Sequence, residues 1–454
     1  RRGADGFGMC GTLQVMLGNA STGAVRTIFT DKDAAWVEVV DDVQWLAQGK
    51  SFTWVSEREG WRKVYAISRD GKSVRAITPG AFDVENISCV DEKSGWLYYI
   101  ASPENPTQRF LYRTRLDGSG KPERLTPSDL RGTNRYQVSP DGKWAIHRYS
   151  TFDLPTATVL INLPKHEVLR ELAGNKKLRA KARNLAQRPG EFFRVTIGNG
   201  VELDGWMIKP PDFDARKRYP VLFHVYGEPA GQTVLDSWGG GQKLWHLMLA
   251  QQGYIVISVD NRGTPAPRGR EWRKSIYGQI GILASQDQAA ACRVIRVWPF
   301  VDSTRIAIWG WSGGGSMTLN MLFRAPELYH TGMSVAPVAD QRYYDTIYQE
   351  RYMGLPTTNP EGFKNGSPIT FAAQLKGNLL LVHGTGDDNV HFQNSETLIN
   401  AMVKANRPFT MMAYPNRSHG IFEGAGTTRH LYELLTRYLK EHVPAGPRTA
   451  TMLP

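Results

Sequence analysis

The feature that most constrains this chain is a rhythm in its second half. From about Phe192 onward six short apolar runs, VLFHVY (221–226), YIVISVD (254–260), RIAIWG (305–310), GMSVAPV (332–338), NLLLVHG (378–384) and FTMMAYP (409–415), alternate with stretches of helical periodicity such as 285–298, 314–323, 392–405 and 429–442. A strand apolar at consecutive positions is buried on both faces, and the helices between such strands are what cover them. The rhythm predicts a doubly wound, mostly parallel α/β sheet over residues 191–454.

Residues 1–190 follow another grammar, short strands and tight turns with a spaced self-similarity. The segment 51–80 aligns with 95–127: two strands around a loop, an Asp-Gly turn, then a strand ending in Thr-Pro. Asp70-Gly71 recurs as Asp117-Gly118 and Thr78-Pro79 as Thr126-Pro127, a step of 47 or 48 residues. That step fits a four-stranded propeller blade whose Asp-Gly pairs make positive-φ hairpin turns. A third copy surrounds SPDGKWAIHRYS (139–150), and 13–30 reads as the end of an earlier blade. The expectation is a partial all-β propeller of about three to four blades, its ring incomplete at the start.

Composition excludes several other classes. At 454 residues, 41% hydrophobic and with 48 aromatic side chains (13 Trp, 18 Tyr, 17 Phe), the chain has the material for packed cores. Its three cysteines (Cys10, Cys89, Cys292) include no CxxC pair, against a disulfide scaffold or a structural zinc site. No apolar run approaches the ~18 residues of a membrane-spanning helix. The net charge of +12 has a local source in 165–188, which holds eight Lys or Arg against two acids without interleaved aromatic residues. It reads as a solvated helical or linker face rather than a nucleic-acid site.

Chemistry concentrates in three places. Gly310-Trp311-Ser312-Gly313-Gly314 is a GxSxG motif between a predicted strand and a predicted helix, the setting in which a sharp turn lifts a serine hydroxyl above a sheet edge. A serine needs a base, and the base needs an acid that fixes its tautomer. The chain order Ser, Asp, His of such folds points to Asp387 or its neighbour Asp388 after the next-to-last strand, Asp387 being favoured because Val390 can anchor the loop. His419, after the last strand and followed by Gly420, is the favoured base; His383 reads as a buried core histidine, and His391 as a competitor beside the acid. His383 and His391 have no third ligand at metal spacing, so neither a metal nor a cofactor is expected. The Gly313 amide is the expected oxyanion donor. Tyr226, in VYGEP, is either a second donor or a packing residue at a strand end. Tyr344 and Tyr348 are predicted to lie i,i+4 on one helical face, either as two walls of a small apolar slot or as a core stripe.

At these residues the chain resembles the prolyl oligopeptidase family of serine peptidases, and within it the dipeptidyl peptidases. The blocks IAIWGWSGGG, SVAPVADQRYYDTIYQERYMGLP (334–356) and LVHGTGDDNVHFQNS (381–395) carry the likeness over the α/β half, and the propeller half carries it more weakly. The resemblance implies an α/β-hydrolase domain after the propeller, with Ser312, Asp387 and His419 as triad. It further implies an oxyanion hole from Tyr226 and Gly313, a proline-sized pocket from Val338, Tyr344, Tyr348 and Val390, and Asn389 holding a substrate carbonyl. The implied activity is release of X-Pro or X-Ala dipeptides from peptide amino termini through an acyl-enzyme, by a periplasmic or secreted homodimer. The rivals are an acylaminoacyl peptidase, oligopeptidase or esterase with the same triad, and a catalytically silent binding propeller. Gly313 and Gln341 stand where the family often has aromatics, implying a wider or more polar pocket. The family's glutamate pair for the substrate's amino terminus has no match in Asp41-Asp42 or Asp91-Glu92, both in turn contexts, and is expected upstream of Arg1.

Overall fold

The computed structural model describes residues 10–41, 43–185 and 188–449; Asp42, half of one acidic pair named above, lies outside them. The chain forms two compact units: Arg1–Ala182 with Leu235–Trp238 and Ala266–Lys274, and Arg183–Val234 with Gly239–Pro265 and Ser275–Pro454.

The first unit is built from antiparallel sheets. A hairpin of β1 (Thr12–Gly18) and β2 (Val25–Lys32) precedes three four-stranded sheets: β3 (Trp45–Leu46), β4 (Ser51–Ser56), β5 (Lys63–Ser68) and β6 (Val74–Ala76); β7 (Val84–Asp91), β8 (Trp96–Ala101), β9 (Phe110–Arg115) and β10 (Glu123–Arg124); β11 (Thr133–Val138), β12 (Trp144–Ser150), β13 (Ala157–Asn162) and β14 (Val168–Ala173). In each sheet the strands pair in chain order, as in propeller blades. Alternation along β8 shows how they stack. Leu97 and Tyr99 enter a core with Val64 and Ile77 of the preceding sheet, while Tyr98 and Ile100 enter one with Tyr136, Val159 and Ile161 of the following sheet.

The turns that set the repeat are Asx turns. Asp70 Oδ1 accepts from the Lys72 amide at 3.1 Å and Asp117 Oδ1 from the Ser119 amide at 2.8 Å, each followed by a glycine at φ +77°. The third Asp-Gly pair differs from expectation: Asp141-Gly142 joins β11 to β12, the first hairpin of its sheet, whereas the other two join the third strand to the fourth. Turn chemistry demands a tight hairpin without saying which one. The basic stretch is also divided. Val168–Ala173 is β14, an exposed strand paired with β13, and only Lys176–Leu185 (α1) is helical.

The second unit holds a nine-stranded sheet. Its path runs β15 (Glu191–Thr196), β16 (Glu202–Ile208), β18 (Ile255–Val259), β17 (Lys217–His224), β19 (Val301–Trp311), β20 (Thr331–Val335), β21 (Asn378–Gly384) and β22 (Thr410–Tyr414), with β23 (Arg448–Thr449) on β17. All pairings from β18 to β22 are parallel; those of β15 with β16, β16 with β18 and β17 with β23 are antiparallel. The helices are α2 (Gly240–Gln251), α3 (Gly269–Lys274, counted with the first unit), α4 (Leu283–Ile295), α5 (Gly313–Arg324), α6 (Thr346–Met353), α7 (Pro360–Gly366), α8 (Gln393–Lys404) and α9 (Thr427–His442). Residues 306–310 and 379–384 are buried throughout, as runs apolar on both faces require.

Candidate active site

The parallel register brings several strand ends to one edge. Trp311 pairs with Val335, Val335 with Val382, and Gly384 with Tyr414, so the loops after β19, β20, β21 and β22 leave the sheet side by side. This carboxyl edge is where open α/β sheets place their ligands.

Ser312 occupies the single residue between β19 and α5, at φ +59° and ψ −121°, a left-handed conformation strained for any residue with a Cβ. Its amide is held by the Val335 carbonyl at 2.8 Å. The flanking glycines are needed for close approach: a Cβ on Gly310 would lie 2.4 Å from the Gly314 carbonyl, and one on Gly314 2.1 Å from the Val225 oxygen. The strand, the turn and the helix can meet only if both positions lack a side chain.

Asp387 is buried in the loop after β21. Its Oδ1 accepts from the amides of Asn389 and Val390, both at 2.9 Å, which turns the loop around the carboxyl group. Its Oδ2 faces two imidazoles, His419 Nδ1 at 2.7 Å and His383 Nε2 at 3.1 Å. Burial alone would raise its pKa, but the hydrogen bonds from His383 and His419 hold it well below the usual carboxylate range. A carboxylate only accepts, so His419 donates from Nδ1 and leaves the Nε2 lone pair free to take a proton. The Trp311 indole, next to Ser312, donates to the His419 carbonyl at 2.9 Å, tying the His419 loop to the serine turn. Asp388 is exposed on the same loop.

His383 is fully buried, and its surroundings fix its tautomer. Nε2 faces two acceptors, the Val390 carbonyl at 2.8 Å and Asp387, so it carries the proton, and Nδ1 accepts from Ser395 Oγ at 2.7 Å. Reading it as a bland core histidine missed that it shares the carboxylate with His419. The only sequence signal is its spacing, four residues before Asp387.

The remaining predicted residues gather around the serine turn. Val338 and Val390 are buried, with the Val338 amide on Ser316 Oγ at 2.9 Å. Tyr344 donates to Asn389 Oδ1 at 2.9 Å and packs edge-on to Tyr348, ring centroids 5.2 Å apart. The helical spacing predicted for this pair is corrected: Asp345 caps α6 through the amides of Ile347 and Tyr348, so Tyr344 precedes the helix in extended backbone. The i,i+4 pair on α6 is Tyr348 with Tyr352, at 4.8 Å. Gln341 is buried and bonded to Gln349 and Ser367. Tyr226, half-buried, lies two residues beyond β17; burial first, then Glu228, raises its pKa. Glu228 itself is buried against the Tyr348 hydroxyl at 2.9 Å. It was present in VYGEP, yet nothing in the sequence marked it for this site.

The sheet order and the serine turn at its carboxyl edge define an α/β-hydrolase unit, carried in one chain with propeller-type blades. Comparison with known proteins agrees in both parts. The model of the Prolyl oligopeptidase family matches residues 243–445, and that of the Dipeptidyl peptidase IV (DPP IV) N-terminal region matches 11–156. The chain belongs to the prolyl oligopeptidase family. A "Probable dipeptidyl-aminopeptidase B" of Emericella nidulans is 36% identical over 427 residues, 90% of this chain and 46% of the relative; that of Uncinocarpus reesii is 34% identical over 408 residues, 87% and 44%. The crystal structure of Porphyromonas gingivalis dipeptidyl peptidase 4 superposes with a TM-score of 0.90 at 36% identity, covering 95% of this chain and 60% of that one. The chain thus spans about half the length of the curated relatives it matches.

Among the described residues no helix is long and apolar enough to cross a membrane, and no group of three or more His, Cys, Asp and Glu could hold a metal ion.

Proposed function

We propose that this chain carries the catalytic machinery of a serine dipeptidyl peptidase, which releases X-Pro or X-Ala dipeptides from peptide amino termini. The observation that carries the reading is the Asp387–His419 bond of 2.7 Å at the sheet edge where Ser312 stands on its turn. His419 Nε2 takes the Ser312 hydroxyl proton as Oγ attacks the scissile carbonyl carbon, and the carbonyl oxygen becomes an oxyanion facing the Gly313 amide and the Tyr226 hydroxyl. Collapse breaks the C–N bond, the leaving amine takes the proton from His419, and water repeats the sequence to free the dipeptide. Val338, Tyr344, Tyr348 and Val390 wall the pocket for a proline or alanine side chain, and Asn389 faces the backbone of the preceding residue. The names of the relatives support the dipeptidyl specificity, and the small apolar wall fits it.

The test compares Gly-Pro, Ala-Ala and N-acetyl-Gly-Pro chromogenic amides on the protein and on Ser312→Ala. The expected result is cleavage of the first two with little discrimination against the acetylated amide, since residues 1–454 hold no match to the family's glutamate pair, and a loss of about three to six decades in kcat in the variant. A higher kcat/KM for the acetylated than for the free amide would replace the dipeptidyl reading by an acylaminoacyl peptidase or oligopeptidase, and a variant keeping a tenth of the activity would remove Ser312 from the mechanism.

A further inference from the structure

The serine turn has an unexpected neighbour. Glu228 follows Val225, Tyr226 and Gly227 on the loop after β17, and its carboxyl fills the space a side chain at position 313 would need: a Cβ on Gly313 would lie 2.7 Å from Glu228 Cδ and 2.9 Å from Oε2. A side chain at position 313 would have to displace Glu228, and a carboxyl group lies directly beside the residue whose amide faces the developing oxyanion. The Tyr348 hydroxyl donates to Oε2 at 2.9 Å, so the same carboxyl positions one wall of the proposed pocket.

We propose that Glu228 is a positioning residue that also gates the reaction by charge: neutral, it holds Tyr348 and shapes the space beside Gly313, and ionised, it opposes negative charge forming at the Gly313 amide, so that reactivity at Ser312 falls as Glu228 loses its proton. This rests on the reading of Ser312 as nucleophile and of Gly313 and Tyr226 as oxyanion donors.

The surroundings of Glu228 favour the neutral form. The groups facing it are the phenols of Tyr226 on its own loop, of Tyr344 before α6 and of Tyr348 on α6, together with the N-terminal end of α5 at Gly313. Two of these support a carboxylate, the Tyr348 hydrogen bond and the positive end of α5. Burial outweighs them and pushes the Glu228 carboxyl up to about 7. The group then ionises across the interval in which a serine hydrolase normally works. A like charge near an oxyanion, once solvent screening is allowed for, slows its formation by about ten- to a hundredfold.

The second-order rate of Ser312 labelling by a fluorophosphonate reads this directly, because the probe needs the nucleophile and the oxyanion donors but no peptide specificity. For the wild-type protein the rate is expected to fall about ten- to a hundredfold between pH 6 and pH 9, in one step near pH 7. Glu228→Gln, which keeps an acceptor for Tyr348 and cannot ionise, should show no such fall. Tyr348→Phe removes the bond that favours the carboxylate and should move the step to higher pH. A wild-type profile that does not fall overturns the proposal whether or not the variants fold, as does a fall that persists unchanged in Glu228→Gln. If Ser312 is not labelled at any pH, the failure is that of the nucleophile reading on which this proposal stands.

Discussion

Asp387 accepts four hydrogen bonds, two from backbone amides that shape its loop and two from imidazoles. One carboxylate therefore serves the local fold and the proposed base. Replacing it with Asn puts an amide N–H against one of the two histidines, both of which already present a proton. Asp387→Asn is expected to lower kcat by about three to four decades with the sheet intact, as measured on Gly-Pro p-nitroanilide, because His419 would be driven to the tautomer with Nε2 protonated. Stability should respond to pH in a stated direction. The carboxyl's pKa is held below its unfolded value, so its contribution is present above about pH 4 and is lost as pH falls toward the folded value. Melting temperatures of the wild type and Asp387→Asn should accordingly draw together as the pH falls below about 4 and go on doing so toward the folded value; curves that stay parallel below about pH 4 would show that the native carboxylate is not specially stabilised.

At the scale of the element, β19, the serine turn and α5 form one strained connection whose glycines do different work. Gly310 and Gly314 admit backbone, whereas Gly313 admits the Glu228 carboxyl. This distinction predicts a coupling. Gly313→Ala should destabilise the protein through overpacking by about 1–3 kcal/mol, and should cost much less in a Glu228→Ala background, where the clashing Cγ, Cδ and Oε2 are gone. Urea denaturation of the two single variants and the double variant measures this, and additive effects would mean that the turn moves to relieve the contact. Gly314→Ala should show no such rescue, because its obstacle is the Val225 carbonyl rather than a side chain.

At the scale of the whole molecule the two units are held by different means, the second by a sheet buried between helices and the first by stacked blade faces supplemented by buried charge. In the first unit Arg273 bonds Glu57 and, at 2.6 Å, Asp83, and Lys274 reaches Asp33 and Glu57, both at 2.7 Å, all of these residues but the half-buried Asp33 being buried. Burial alone would raise the Glu57 pKa, but Arg273, Lys274 and Arg62 bring it down to about 2. Arg273→Met should lower stability by about 3–5 kcal/mol, because it leaves two buried carboxylates without their main partner. Glu57 with its depressed pKa should make the wild-type advantage fade as the pH drops from about 4.5 toward 2. A midpoint shift in urea equivalent to less than about 1 kcal/mol would mean that Lys274 and Arg62 suffice to compensate the cluster.

The sequence by itself determined what depends on local pattern. Apolar runs of strand length, Asp-Gly turns at a blade's step and small residues around Ser312 each encode burial or backbone conformation within a few neighbouring positions, so they were legible without coordinates. What only the tertiary structure decided depends on sheet register and on loop paths. His383 shares the Asp387 carboxylate because a strand end and the loop after it fold back on each other, and Tyr344 leaves the helix because Asp345 caps it. Asp387 rather than Asp388 meets His419 because two backbone amides turn its side chain inward. Glu228 meets Gly313 because β17 and β19 are parallel neighbours in the sheet, so the segments following them start side by side although they are far apart along the chain. No periodicity links such positions. Their proximity follows from the pairing of whole strands, a property of the assembled sheet rather than of any segment in it.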